Sequence, residues 1–207
     1  MSMKFFAPLL RVLSDLPMQR KFLIQTGIVA VGIVLLAIVA ARVQFLDLNQ
    51  TRKDGLAAQT QMALGIVEDY ARRAEAGEMP LDEAQAGALR ALSAMRANGG
   101  VDYFFVTDEQ PTLLMHPVRE DLVGKDVSGV TDPNGKAIYP EFVAAARTGG
   151  GNVDFVWAKP GEDAPVAKTS YSGLYAPWGW VLTTGVYLDD TQAQALNFTA
   201  IMTLVGG

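Results

Sequence analysis

The sequence contains no cysteine and a single histidine, His116, in 207 residues. Without cysteine, the chain can form no disulfide, no thiolate metal site and no thiol nucleophile. One histidine cannot build a multi-histidine metal centre, and the carboxylates do not have the spacing of a metal-binding loop. We therefore predict a protein that holds neither a metal ion nor a cofactor.

Signatures of catalysis and of nucleic-acid binding are also missing. The glycines at 149–151 lack the following Lys-Ser/Thr of a phosphate-binding loop, and no G-x-S-x-G surrounds a serine. The net charge is −5, and lysines and arginines do not cluster as a nucleic-acid footprint requires. The sequence thus favours neither an enzyme nor a nucleic-acid-binding protein.

Charged residues are distributed unevenly along the chain, and one segment contains no charged residue. Residues 1–42 carry five basic groups and one acidic group, whereas residues 43–190 carry twelve basic and twenty-one acidic groups. Residues 22–41, FLIQTGIVAVGIVLLAIVAA, are uncharged and lie between Lys21 and Arg42. At about 1.5 Å per residue, such a helix spans the ~30 Å hydrocarbon core of a membrane.

A cleaved signal peptide is the alternative to a membrane helix, because Val39-Ala40-Ala41 has the form of a cleavage site. The apolar run, however, exceeds the ~7–15 residues of a signal peptide. We therefore predict an uncleaved anchor at 22–41. Basic residues precede it, so that residues 1–21 form a cytoplasmic leader and the following domain lies outside the inner membrane.

A second apolar run closes the sequence, after residue 195, and is too short to cross a membrane. Either it is a surface helix, or residues 191–207 are the start of a second, truncated membrane helix, which we favour. Asp189 and Asp190 precede it, where acidic side chains suit a helix N-terminus. Gly185, in the strand before them, allows close backbone approach. In this interpretation, residues 43–190 form one external domain tethered at both ends.

The external domain reads as two helices, a hairpin, a short helix and three strands. The hydrophobic period is helical from 43 to about 77 and again from 81 to 97, with breaks at Gly77 and Pro80. Strands are predicted at 101–108, 112–116, 152–159, 166–175 and 178–188, with a loop at 117–136 and a helix at 137–147. This order predicts an α+β fold, with helices packed on one face of a five-stranded antiparallel sheet.

The ordered motifs resemble a known family. They are EAGEMPLDEAQAGALRALSAMR, VDYFFVTD, MHP, VGKD, DPNG, W-x-K-P, AKTSY and PWGWVLTTGVYLDD. Over residues 43–190 the chain is similar to the single Cache domain, a PAS-like sensor of bacterial methyl-accepting chemotaxis receptors and some sensor kinases. Ala167 stands where the family often has proline. The resemblance implies a long N-terminal helix and a pocket on the sheet that binds organic acids such as acetate, propionate, lactate or pyruvate.

A pocket for a small carboxylate needs hydrogen-bond donors and an apolar wall. Lys168 is the strongest candidate, because a lysine within an aromatic strand is poorly explained as a solvated residue. The full set of predicted ligand-binding residues is Lys168, His116, Tyr103, Trp157, Arg96, Phe105, Lys159 and Tyr171.

Several of these residues also have a purely structural interpretation. His116 could be a packing residue at a strand end, and Tyr103 and Trp157 could belong to the core. Arg96 could pair with the last carbonyls of its helix. Trp178 and Trp180 are predicted to be structural, closing the sheet against the helices.

The resulting functional prediction is an extracytoplasmic sensor of a transmembrane chemoreceptor for short-chain carboxylates. The long helix favours a parallel homodimer. The alternative is the same module in a membrane histidine kinase or a cyclic-dinucleotide enzyme, and the sequence beyond 207 would distinguish them. A structural anchor without a ligand is a further alternative.

Overall fold

The computed structural model describes residues 17–188, apart from the side chains of residues 44–49. The chain divides into two compact units between Asp47 and Leu48. Asp189, Asp190, segment 191–207 and most of the predicted leader lie outside the described residues.

The first helix, α1, runs from Met18 to Glu75. Its segment Met18–Val43 has a mean hydropathy of 2.6 and is long and apolar enough to cross a membrane. The predicted span at 22–41 lies within this segment. After α1, the predicted break follows at Gly77, whose φ of 75° is left-handed and favours glycine.

The second unit contains the predicted mixture of helices and antiparallel strands, which confirms the α+β class. After α1, the elements are α2 (Leu81–Ala94), β1 (Arg96–Ala97), β2 (Asp102–Asp108), β3 (Leu113–Met115), α3 (Ile138–Arg147), β4 (Gly151–Ala158), β5 (Pro165–Tyr175) and β6 (Trp180–Tyr187). The sheet order is β1-β2-β6-β5-β4, and β3 pairs with β2.

The sheet has six strands instead of the predicted five, because one helix boundary differs from the prediction. The helix predicted to reach residue 97 ends at Ala94, and the next residues form the short strand β1. Arg96 pairs with Tyr103, and Ala97 pairs with Asp102, across an antiparallel ladder. Pairing with β2 thus replaces the last turn of the predicted helix. This pairing is a tertiary interaction, and the local hydrophobic periodicity does not reveal it.

One face of the sheet packs against α1 and α2. Trp180 belongs to this face, and its ring centroid lies 4.8 Å from that of Trp178, which confirms the predicted structural role of both tryptophans. Gly173 permits close approach of α1, since a Cβ there would lie 3.0 Å from Thr60. The buried residues of this cluster are Ala63, Val67, Ala88, Leu92, Phe104, Val106, Met115, Trp180 and Leu182.

The opposite face packs against α3, so the prediction that all helices lie on one face is wrong. The ring of Phe142 on α3 lies 5.5 Å from Phe105 and 5.4 Å from Phe155. The reason is the composition of β2, which places aromatic side chains on both faces by simple alternation. Each apolar face must be covered, so the sheet lies between two helical layers.

The segment between β3 and α3 is fastened to the edge strand β4. The carboxylate of Asp132 accepts hydrogen bonds from the amides of Asn134, Lys136 and Val156 at 2.9–3.2 Å. Val127, in the same segment, is fully buried in the cluster beneath α3. This segment therefore forms part of the cover over the α3 face of the sheet.

Candidate functional site

A buried lysine lies on the α3 face of the sheet. Lys168 on β5 is only 3% exposed. Its Nζ lies 3.4 Å from the hydroxyl of Tyr103 and 3.4 Å from the hydroxyl of Tyr187. It also lies 4.6 and 4.4 Å from the centroids of the same two rings. Ring faces and phenol oxygens both attract an ammonium group.

Strand register brings these residues together. Lys168 pairs with Tyr187 on β6 and with Phe155 on β4. Directly opposite residues on antiparallel strands project from the same face, so the three side chains are neighbours. Tyr103 reaches them from β2, which lies on the other side of β6.

Lys168 has no carboxylate partner within residues 17–188. The ion pairs found there involve other cations. Burial lowers the pKa of Lys168 to about 8, and the more distant charge of Asp102 opposes this shift. At neutral pH the site therefore holds a protonated, buried cation, which is costly unless an anion joins it.

His116 contributes a neutral imidazole beside the lysine. Its ring stacks on Phe105 at 5.3 Å and lies 5.1 Å from Tyr103. Its Nδ1 accepts hydrogen bonds from the amides of Val118 and Arg119 at 3.1 and 3.0 Å. Burial, followed by the charge of Lys168, lowers the pKa of His116 to about 3. The proton is thus on Nε2, which is a hydrogen-bond donor.

Three tyrosines complete the polar cluster. Burial raises the pKa of Tyr103 and raises the pKa of Tyr139 to about 12, so both keep their hydroxyl protons at neutral pH. The hydroxyl of Tyr187 donates to the carbonyl of Ala158 at 2.8 Å. The arrangement combines one cation with neutral hydrogen-bond donors and aromatic walls.

The structure brings four of the predicted residues together: Lys168, Tyr103, His116 and Phe105. Two others lie at the border of the cluster. The Nζ of Lys159 is 5.8 Å from the ring centroid of Tyr187, and the partly buried Trp157 ring is 6.4 Å from Phe155.

Arg96 and Tyr171 lie elsewhere. Arg96 is exposed and donates to the carbonyl of Pro117 at 3.0 Å, so it holds the segment that follows His116. Tyr171 pairs with Thr184 and lies on the opposite face of β5 from Lys168, because the two residues are an odd number of positions apart.

The sequence interpretation missed Tyr139 and Tyr187. The apolar spacing of Ile138, Phe142 and Ala146 marks the buried side of α3, and Tyr139 lies on it. Alternation along β6 places Tyr187 on the same face as Thr183 and Gly185. Neither pattern by itself identifies Lys168 as the partner of Tyr187, because that depends on the register of β5 and β6.

The polar cluster is thus enclosed on one face of an antiparallel sheet that has helices on both sides. The sequence matches the family Single Cache domain 2 over residues 48–200. The chain belongs to this family.

Two curated relatives of the chain are bacterial signalling proteins. The methyl-accepting chemotaxis protein McpP of Pseudomonas putida is 38% identical over 181 residues, covering 86% of this chain and 33% of the relative. The sensor histidine kinase MctS of Rhizobium johnstonii is 31% identical over 156 residues, covering 75% of this chain and 33% of the relative. The chain therefore spans about a third of the length of these relatives.

Two solved structures share the fold. A periplasmic sensor domain of a chemotaxis protein has a TM-score of 0.64 and 44% identity, covering 67% of this chain and 96% of that domain. A Cache chemosensory domain that recognises carboxylic acids has a TM-score of 0.65 and 39% identity, covering 69% of this chain and 97% of that domain. Each of these two neighbours is a chemosensory domain.

Proposed function

We propose that the α3 face of the sheet binds a short-chain organic carboxylate, and that the chain is the extracytoplasmic sensor of a transmembrane chemoreceptor. The observation that carries this proposal is the buried Lys168. This residue is 3% exposed, and its ammonium has aromatic neighbours but no carboxylate partner within residues 17–188. A bound carboxylate supplies the missing negative charge.

The neighbouring donors suit the two oxygens of such a ligand. One oxygen accepts from Lys168, and the hydroxyl of Tyr103 and Nε2 of His116 are further donors. The rings of Phe105 and Phe155 provide apolar contact for the rest of the molecule. Because Tyr103, His116 and Lys168 are each at most 5% exposed, the ligand has to be small.

Similarity supports both parts of the proposal. A Cache chemosensory domain that recognises carboxylic acids is 39% identical to this chain. The relative with 86% coverage of this chain is a methyl-accepting chemotaxis protein. We therefore place the chain in the inner membrane, anchored by Met18–Val43, with residues 43–190 on the periplasmic side, as the sensor of a homodimeric receptor that has no catalytic site of its own.

A sensor histidine kinase is the second candidate, because one relative of 31% identity is such a kinase. The sensor chemistry is the same in both cases, so the two candidates differ in the output region that the sensor controls. A heptad-rich methylation helix in that region identifies a chemoreceptor, whereas a kinase or cyclic-dinucleotide domain identifies the alternative.

Calorimetry on the 207-residue chain in detergent micelles tests the ligand class. Acetate, propionate, lactate and pyruvate are titrated, with acetamide and propionamide as neutral controls of matched shape. We expect binding of at least one carboxylate and none of the amides. Equal binding of amides and acids would show that Lys168 does not recognise the charge of the ligand. A folded chain that binds none of the acids would contradict the proposal.

A further inference from the structure

Tyr187 connects the candidate site to a second part of the domain through its backbone. Its side chain is 3% exposed and contacts Lys168, as described above. Its backbone carbonyl accepts a hydrogen bond from Nη1 of Arg52 on α1 at 3.3 Å. The same residue therefore contacts the proposed ligand site on one side and the first helix on the other.

The position of Tyr187 in the sheet explains why its carbonyl is available to Arg52. The amide of Leu188 donates to the carbonyl of Ala167 at 2.8 Å, so the carbonyl of Tyr187, one residue earlier, points away from β5. On the other side, the register between β2 and β6 ends at Phe104 and Thr184. Arg52 thus supplies the donor at the end of β6.

Arg52 lies on the side of α1 that packs against the sheet. It precedes the buried Leu56 by four residues, which places both side chains on one face of the helix. The adjacent Lys53 makes a different contact, an ion pair of 3.0 Å with Asp154 on β4. Two neighbouring cations on α1 therefore hold two different strands, and only Arg52 holds the residue that contacts Lys168.

We infer that Arg52 is a positioning residue that transmits the state of the ligand site to α1 through Tyr187. This inference rests on the proposed carboxylate site. A carboxylate is a stronger acceptor than the hydroxyl of Tyr187, so an arriving carboxylate draws the Lys168 ammonium toward itself, changes its 3.4 Å contact with that hydroxyl and shifts the tyrosine ring. The shifted residue changes the Arg52 hydrogen bond, and a ligand that favours one arrangement of this bond shifts α1 between two states.

Hydrogen exchange of the α1 amides around Arg52, in the 207-residue chain in micelles, tests this link without any ligand. Tyr187→Phe removes the hydroxyl from the site but keeps the carbonyl. We expect it to change exchange near Arg52 by about three- to tenfold, the range set by one hydrogen bond. In an Arg52→Met background the same change has no further effect, whereas in a Lys53→Met background it persists. Equal effects in both backgrounds would overturn the inference.

A second arm adds acetate. The wild type and Lys53→Met are expected to show altered exchange in α1, and Arg52→Met is expected to lose this response while its acetate affinity stays within about threefold. An unchanged response in Arg52→Met would overturn the inference. Absence of acetate binding in the wild type would instead contradict the proposed function, and the ligand-free arm would still decide the role of Arg52.

Discussion

The two faces of the sheet are both well buried, but they bury different chemistry. The cluster under α1 and α2 is apolar, with Leu92, Val106 and Leu182 fully buried. The α3 face also buries aromatic side chains, but it adds Lys168 and His116 at 3% and 4% exposure. Burying such groups costs free energy that apolar residues would not cost. One face therefore mainly stabilises the fold, whereas the other buries polar groups at a cost in stability, as the proposed carboxylate site requires.

The largest expected effect is on the apolar face. Leu92→Ala should lower the free energy of unfolding by about 2–5 kcal/mol, because it leaves a cavity between α2 and the sheet. Urea unfolding followed by tryptophan fluorescence measures this change. The control is Leu81→Ala on the same helix, 54% exposed, with an expected change within about 0.5 kcal/mol.

Below its unfolding transition, Leu92→Ala is expected to bind acetate within about twofold of the wild type, because effects at separated sites are nearly independent. A folded variant that has lost acetate affinity would show that the two faces are not separate in function.

Lys168→Met is expected to lower acetate affinity without lowering stability, the opposite of Leu92→Ala. Acetate affinity falls about 10- to 150-fold, since a hydrogen bond to a charged group contributes about 1.5–3 kcal/mol. Stability stays equal or increases, because an apolar side chain of similar length removes the buried charge. Calorimetry and urea unfolding measure the two quantities, with exposed Lys125→Met as the matched control. A loss of stability with unchanged affinity would make Lys168 a structural residue.

The features of the two faces that follow local sequence patterns can be predicted from the sequence. Period-two alternation and the apolar spacing of α2 are local patterns, so the strands and the helices follow from the chain itself. Lys168 and Tyr103 also stand out locally, as a cation and a phenol within apolar strands. The sequence also predicts close backbone approach at Gly185, and a Cβ there would lie 2.6 Å from the carbonyl of Thr169.

The parts that were missed depend on non-local pairing. Alternation shows which residues share a face of a strand, but it does not show which helix covers that face. The sequence therefore predicts the wrong side of the sheet for α3. The partnership of Lys168 with Tyr187 requires the register between β5 and β6. The prediction of Tyr171 as a ligand-binding residue could have been avoided from the sequence, because two-residue alternation along β5 already places Tyr171 and Lys168 on opposite faces.

Gly185→Ala tests how tightly the α3 face is packed. The new methyl group would lie 2.0 Å from Oγ of Ser170 and 2.6 Å from the backbone of Thr169. We expect a loss of about 1–3 kcal/mol from overpacking. Gly129→Ala is the control, with nothing within 4 Å of its added Cβ. Ser170→Ala should restore part of the loss in the double variant, and a Gly185→Ala variant as stable as the control would contradict this packing.

The last prediction is a pH dependence confined to the α3 face. The pKa of Lys168 is lowered to about 8 by burial, and a bound carboxylate favours the charged form, so the pKa rises in the complex. Acetate affinity is therefore full below pH 8 and falls about tenfold per pH unit as the pH rises above it. His116, with a pKa of about 3, adds no change between pH 5 and 8. Calorimetry from pH 6 to 10 measures the slope, and Lys168→Met should remove it. A decline that begins near pH 6.5 would instead assign the titration to a histidine, and the neutral imidazole inferred for the site would be wrong.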